Sequence, residues 1–161
     1  MKRGGILLAI AMLTFTPLTA HAVKDVSPEI RQYAEELGPR YYMCPETIEA
    51  VVIVESSGDA NAINKAGTCH GAMQVNPLYH GERMKKLGVT DLHDLYGGML
   101  VGTDFLADLC EKYDGDICAA LMAYNGSKPE RIERYFETGE VTGYVEKVLK
   151  LSAELERMHG Y

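Results

Sequence analysis

Apolar positions along most of this chain recur every three or four residues, between proline-led starts and glycine stops, which is the period of helices. Ser27-Pro28-Glu29 reads as a cap, a first-turn proline and an acidic first turn, with Gly38 as the stop. Pro45 opens a second helix whose apolar positions Ile48, Val51, Val52 and Val54 run into Glu55, and Gly58 closes it. Val and Ile in succession also suit a strand. The proline start, the glycine end and roughly three turns of length favour a helix. Residues 59–70 are polar and glycine-containing, which predicts a loop or a small hairpin.

A short helix is expected over 80–87, and a longer one from Asp94 to Tyr113 with Leu95, Met99, Val101, Phe105, Leu106 and Leu109 on its buried side. Gly97, Gly98 and Gly102 each cost that helix roughly 1 kcal/mol against alanine, so they predict another helix packed closely there. Asp116 caps a helix running through Leu121 to Tyr124, which Asn125-Gly126 ends. Ser127-Lys128-Pro129-Glu130 starts the next, and Gly139 stops it. The last helix, from Thr142 to Met158, is amphipathic through Val145, Val148, Leu149, Leu151 and Leu155. No repeat, low-complexity tract or internal linker interrupts the pattern. The expected fold is mainly α: a single compact helical domain over residues 23–161, with a small hairpin or loop over its site.

The first 22 residues stand apart from it. Lys2 and Arg3 precede the apolar stretch from Ile6 to Phe15, and Ala20-His21-Ala22 has the small-x-small form of a cleavage site. Residues 1–22 are read as a secretory signal and Val23 as the mature start. The apolar run is too short to span a bilayer, and no later run is longer. Export to a periplasm, the cell wall or the medium is expected, with no membrane span after cleavage.

Losing the two basic residues of the signal takes the net charge from −7 to −9. That balance argues against a nucleic-acid partner, whose phosphates reward clustered lysine and arginine. It also gives no long-range pull toward an anionic surface, so a wall polymer would have to be recognised by a neutral groove. Cys44, Cys69, Cys110 and Cys118 all follow the signal, and an even count in an exported chain predicts two disulfides. Of the three pairings, Cys44–Cys69 with Cys110–Cys118 is preferred: the first would tie the Glu55 helix to the loop before Gly71, the second would close a short turn. No two cysteines show Cys-x2-Cys spacing and only His70 adjoins one, which leaves a metal reading weak. No cofactor or metal is expected.

Glu55 carries the chemistry. It ends an apolar run just before Ser56-Ser57-Gly58, and a carboxyl against an apolar wall keeps its proton toward neutral pH. A general acid for a sugar leaving group needs that property. A solvated glutamate at a helix end is the plain alternative, but the helix dipole disfavours negative charge at a C-terminus.

Glu55-Ser56-Ser57, then Gly71-Ala72-Met73-Gln74, then Ala123-Tyr124-Asn125, then Tyr144-Val145 resemble the successive motifs of the soluble-lytic-transglycosylase catalytic domain, a helical relative of goose-type lysozyme. The resemblance covers nearly all of 27–150. Four motifs in order make chance a poor explanation. Two departures are Ala72, where the family more often has leucine, and Gly126 directly after Asn125, where an alanine usually intervenes. The resemblance implies a lysozyme-like fold and cleavage of the β-1,4 bond between N-acetylmuramic acid and N-acetylglucosamine in peptidoglycan. Glu55 would act as acid and then base, closing a 1,6-anhydro ring on the muramoyl sugar.

The resemblance further implies substrate contacts for Gln74, Met73, Tyr124, Asn125 and Tyr144, with Tyr144 hydrogen-bonded to Glu55. Ser56 is an even choice between a site group and a solvated helix end. A buried methionine such as Met73 is more often simple core, and an asparagine at a helix end such as Asn125 is common merely as a cap. Among ten tyrosines, the role of Tyr144 is the least secure by sequence. Asp59 reads better as a turn residue than as a second catalytic carboxylate. Asn76 stands where goose-type lysozymes often carry an aspartate that positions water, and an amide cannot act as a base. Two other readings stay open: a lysozyme-like hydrolase, and a glycan-binding assembly protein without turnover. Peptidoglycan strands are the expected partner of a monomer, and small exported enzymes of this type often serve secretion or conjugation machinery.

Overall fold

The computed structural model describes residues 27–160; the expected signal over 1–22 and the mature start at Val23 lie outside the described residues. Seven helices account for most of that span. They are α1 (Pro28–Tyr41), α2 (Pro45–Ser56), α3 (Pro77–Leu87), α4 (Leu95–Lys112), α5 (Ile117–Tyr124), α6 (Pro129–Thr138) and α7 (Gly143–His159). Proline opens α1, α2, α3 and α6, where its missing N–H costs nothing. The side chains of Ser27, Asn76, Asp94, Asp116 and Thr142 accept from first-turn amides of α1, α3, α4, α5 and α7.

Helix α2 is the centre. Ile48, Ala50, Val51 and Val52 are fully buried, and the helix packs on α1 and α7. Glu46 meets His159 at 3.0 Å, the Thr47 and Ser152 hydroxyls lie 3.0 Å apart, and Glu55 meets Tyr144. Those three pairs make α2 and α7 antiparallel, so the C-terminal end of α2 faces the N-terminal end of α7. Helix α4 packs on α1, α3 and α5, and α5 reaches α6 and α7.

Three expectations need correction. Gly38 does not stop α1, which continues through Pro39 to Tyr41. A Cβ at Gly38 would lie 2.7 Å from the Met43 carbonyl oxygen and 2.9 Å from the Pro45 ring, so the glycine is there to admit the reversal into α2. Helix α3 starts three residues before the expected position 80, at Pro77, because Asn76 caps it through Leu78 N–H at 3.0 Å. The glycines of α4 receive chain rather than another helix. A Cβ at Gly98 would sit 2.6 Å from the Leu92 carbonyl oxygen, and one at Gly102 2.6 Å from the Met73 sulfur.

The expected disulfides are also absent: all four cysteines are free. Cys44 caps the start of α2, with its thiol 3.0 Å from Glu46 Oε2. Cys69 belongs to the loop that docks on the other end of that helix, and twelve residues of helix extend about 18 Å, far beyond a disulfide's reach. Cys118 lies against the Tyr135 hydroxyl and is not bonded to Cys110.

Candidate active site

The last turn of α2 exposes backbone carbonyls without helical partners, and Glu55 sits on that turn. Ser57 takes the left-handed conformation at φ 58° and ends the helix by donating its N–H to the Ile53 carbonyl at 2.9 Å. Residues 59–70 then form a loop that folds back through two antiparallel bridges, Ile63 with His70 and His70 with Val75. This matches the expected small hairpin or loop. Its return brings Gly71-Ala72-Met73-Gln74 beside the end of α2.

Ser56 ties the two segments together. Its hydroxyl donates to the Ala72 carbonyl at 2.8 Å and lies 3.2 Å from the Val52 carbonyl, so it positions the loop. Gln74 is held in the left-handed region at φ 50°, which costs a non-glycine residue roughly 1 kcal/mol. Its side-chain amide answers that cost by donating to the Gly71 carbonyl at 2.9 Å and the Ala62 carbonyl at 3.2 Å. Met73 is fully buried, packed on Gly102 and 3.8 Å from the Thr103 hydroxyl. Its side chain is core and offers no groove wall, a correction to the expected substrate contact. The backbone of Met73 does matter, because Tyr124 donates its hydroxyl to that carbonyl at 2.8 Å.

Tyr144, in the first turn of α7, donates its hydroxyl to Glu55 Oε1 at 2.6 Å. The two residues are 89 positions apart in sequence and meet because α2 and α7 run antiparallel. Burial pushes the Glu55 carboxyl above the ordinary glutamate range; the Tyr144 hydrogen bond and the Lys147 ammonium pull it part of the way back. The charged side chain that acts on Glu55 is thus a cation, Lys147. Burial and the Glu55 charge hold the Tyr144 and Tyr124 phenols far above their usual range, so both keep their protons and act as donors.

Asn125 is exposed at the C-cap of α5, next to Tyr124. Asp59 is exposed on the loop, and its carboxylate accepts from the Asn61 N–H at 2.8 Å, a turn role. Asn76 spends its side-chain oxygen on capping α3. The residues brought together around Glu55 are therefore Tyr144, Lys147 and Tyr124, with the Ala72–Gln74 backbone beside them.

Sequence reading missed two contributors. Lys147 lies one turn after Tyr144 on α7, and that i,i+3 spacing was the available signal. Phe105 of α4 stacks on Tyr124 with ring centres 5.2 Å apart, and His80 stacks on Phe105 at 4.3 Å. Arg83 lies over the same ring and is ion-paired to Asp104 and Asp108, which locks α3 to α4. No local pattern marks that file, since it spans three helices.

Tyr144→Phe gives a test of this geometry. Removing the hydroxyl removes a donor to the ionised carboxylate, so the Glu55 pKa should rise further. A general acid at Glu55 would be lost as pH rises through its pKa, so the descending limb of the kcat/KM profile would move to higher pH. An unmoved limb would show that Tyr144 does not act on the catalytic ionisation.

A family model described as the transglycosylase SLT domain matches residues 32–140. Among solved structures, the chain is similar to an inactive glutamate-to-glutamine mutant of the lytic transglycosylase Slt from Pseudomonas aeruginosa, with a TM-score of 0.68 and 18% identity. That match covers 80% of this chain and 24% of the other, so this chain spans about a quarter of its length.

Proposed function

The chain belongs to the transglycosylase SLT domain family, and from that premise we propose that it is an exported peptidoglycan lytic transglycosylase that uses Glu55 as its one catalytic carboxyl group. The observation that carries the reading is the half-buried Glu55, its carboxyl raised by desolvation and held at 2.6 Å by the Tyr144 hydroxyl. The similar solved protein is inactive as a glutamate-to-glutamine mutant, which supports a glutamate as the indispensable group. Within the described residues no helix is long and apolar enough to cross a membrane.

In the first step Glu55 gives its proton to the oxygen linking muramic acid to the next N-acetylglucosamine. The substrate's own N-acetyl group stabilises the sugar cation in place of a second carboxylate, the substrate-assisted exception among glycosidases. Glu55, now ionised and steadied by Tyr144 and Lys147, takes the proton of the muramoyl 6-hydroxyl. That oxygen attacks C1, the 1,6-anhydro ring closes, and no water is consumed.

A hydrolase on the same fold would need a group to position water. Asp59, the one nearby carboxylate, accepts from the Asn61 N–H, and Asn76, an amide that cannot act as a base, accepts from the Leu78 N–H. The product decides between the readings. Mass spectrometry of muropeptides released from purified peptidoglycan by residues 23–161 should show fragments lighter by one water than hydrolytic products. Reducing-end muramic acid would establish the hydrolase, and glycan binding without release would establish an assembly protein.

A further inference from the structure

Two histidines that take no part in the Glu55 chemistry face each other beside the loop that leaves α2. His70 stands on the returning limb of that loop, held by its bridges to Ile63 and Val75. His93 lies 23 residues later, on the segment that leads into α4, where its backbone N–H donates to the Asp91 carboxylate at 2.8 Å. His70 Nδ1 and His93 Nε2 are 3.2 Å apart, and the rings meet edge to face with their centres 5.3 Å apart. The two are so far apart in sequence that no metal-ligand spacing shows along the chain.

The other ring nitrogen of His93 fixes the roles. Its Nδ1 lies 3.1 Å from the Ala60 carbonyl, and a carbonyl only accepts, so Nδ1 carries the proton. In the neutral ring Nε2 is then a bare lone pair, turned toward His70. Metal-bound histidines are oriented in the same way, by donating the second N–H to a carbonyl or carboxylate. The backbones beneath the rings are in contact as well, since a Cβ on Gly71 would strike the Leu92 carbonyl oxygen. Both nitrogens can therefore take one ion without a movement of either segment.

The spacing selects the ion. Zinc–imidazole bonds are about 2.0–2.1 Å long, and a tetrahedral ion sets two such nitrogens about 3.3 Å apart and their ring centres about 5.2 Å apart. A square-planar ion with bonds of that length needs about 2.9 Å between neighbouring nitrogens. The observed 3.2 Å and 5.3 Å fit the tetrahedral arrangement. Among the described residues no group of three or more His, Cys, Asp or Glu side chains gathers around an ion, so protein supplies two ligands here and water the rest.

We propose that His70 and His93 form a two-histidine zinc site. On binding, the His70 proton moves from Nδ1 to Nε2, so both rings stay neutral and no net proton is released. The ion clips the strand leading into Ala72–Gln74 to the segment before α4. This site goes beyond the peptidoglycan reading and does not depend on it.

Calorimetric titration of the natural chain with zinc should show one ion bound at these rings. Zinc at about a hundredfold excess over its Kd should raise Tm by roughly 5 °C or more. Magnesium, which prefers oxygen ligands, should leave Tm unchanged. His70→Gln and His93→Gln each remove a ligand and should weaken zinc binding about 100-fold or more. Equal zinc affinity in the natural chain and both variants would overturn the site. NMR of the natural chain decides the matter even where a variant does not fold: the ring signals of His70 and His93 should shift together as zinc is added. Zinc that moves the His159 ring or is held by cysteines, with those two rings unmoved, overturns the site, and so does an absence of binding.

Discussion

Glu55→Gln is expected to slow glycan cleavage by about 10²-fold or more while the fold and glycan binding are retained. Glutamine has the size and shape of glutamate, and its amide oxygen can still accept the Tyr144 hydroxyl that now lies 2.6 Å from Oε1. What it lacks is a proton to give and, after giving it, a negative oxygen to take one back. Both halves of the proposed reaction fail together, because one carboxyl group serves both. Stability should hold or rise, since burial already raises the Glu55 pKa and so works against its charged form. A cleavage assay, with the melting temperature measured beside it, checks both statements. A variant that cleaves at near-normal rate would remove Glu55 from the mechanism.

The second large effect is structural and comes from Gly71→Ala. Gly71 has φ 77°, a left-handed conformation, and a Cβ there would lie 2.1 Å from the Leu92 carbonyl oxygen. The obstacle is backbone, held in turn against Gly98 of α4, so no side chain can swing aside. A loss of about 3 kcal/mol or more is expected, seen as a fall in Tm of roughly 6–12 °C for a domain of this size. Gly67→Ala is the control. It shares the positive φ at 69° but meets nothing within 4 Å, so it should lose only the conformational part, about 1 kcal/mol. Equal melting of the two variants would mean that the Leu92 contact does not hold the loop. Because Gly71 precedes the Ala72–Gln74 backbone that Ser56 and Tyr124 grip, cleavage should fall along with stability in the first variant alone.

The helices were legible because their ends are local events. A proline at the first position, as at Pro45 and Pro129, or a capping oxygen, as at Asp94, Asp116 and Thr142, acts within three or four residues and can be read in place. Where the reading failed, a local signal served a distant neighbour. Gly38 looked like a stop because helix-ending glycine is common, yet its bare Cα is needed by Met43 and Pro45 from the next element. Asn76-Pro77 has the form of a helix start, so the expected start at 80 lies three residues late.

By itself the sequence determined that this is a helical domain, with an acid at the end of an apolar helix and the ordered motifs of a transglycosylase family. Those properties depend on periodicity, caps and residue identity, all of which are written along the chain. The tertiary structure alone decided that Lys147 offsets the burial of Glu55, that Met73 is core and Ser56 a clasp, and that the cysteines stand apart. Each of those depends on which helix faces which, and at what height. That register is set by the burial of α2 between α1 and α7, a sum of weak apolar contacts that no single residue announces.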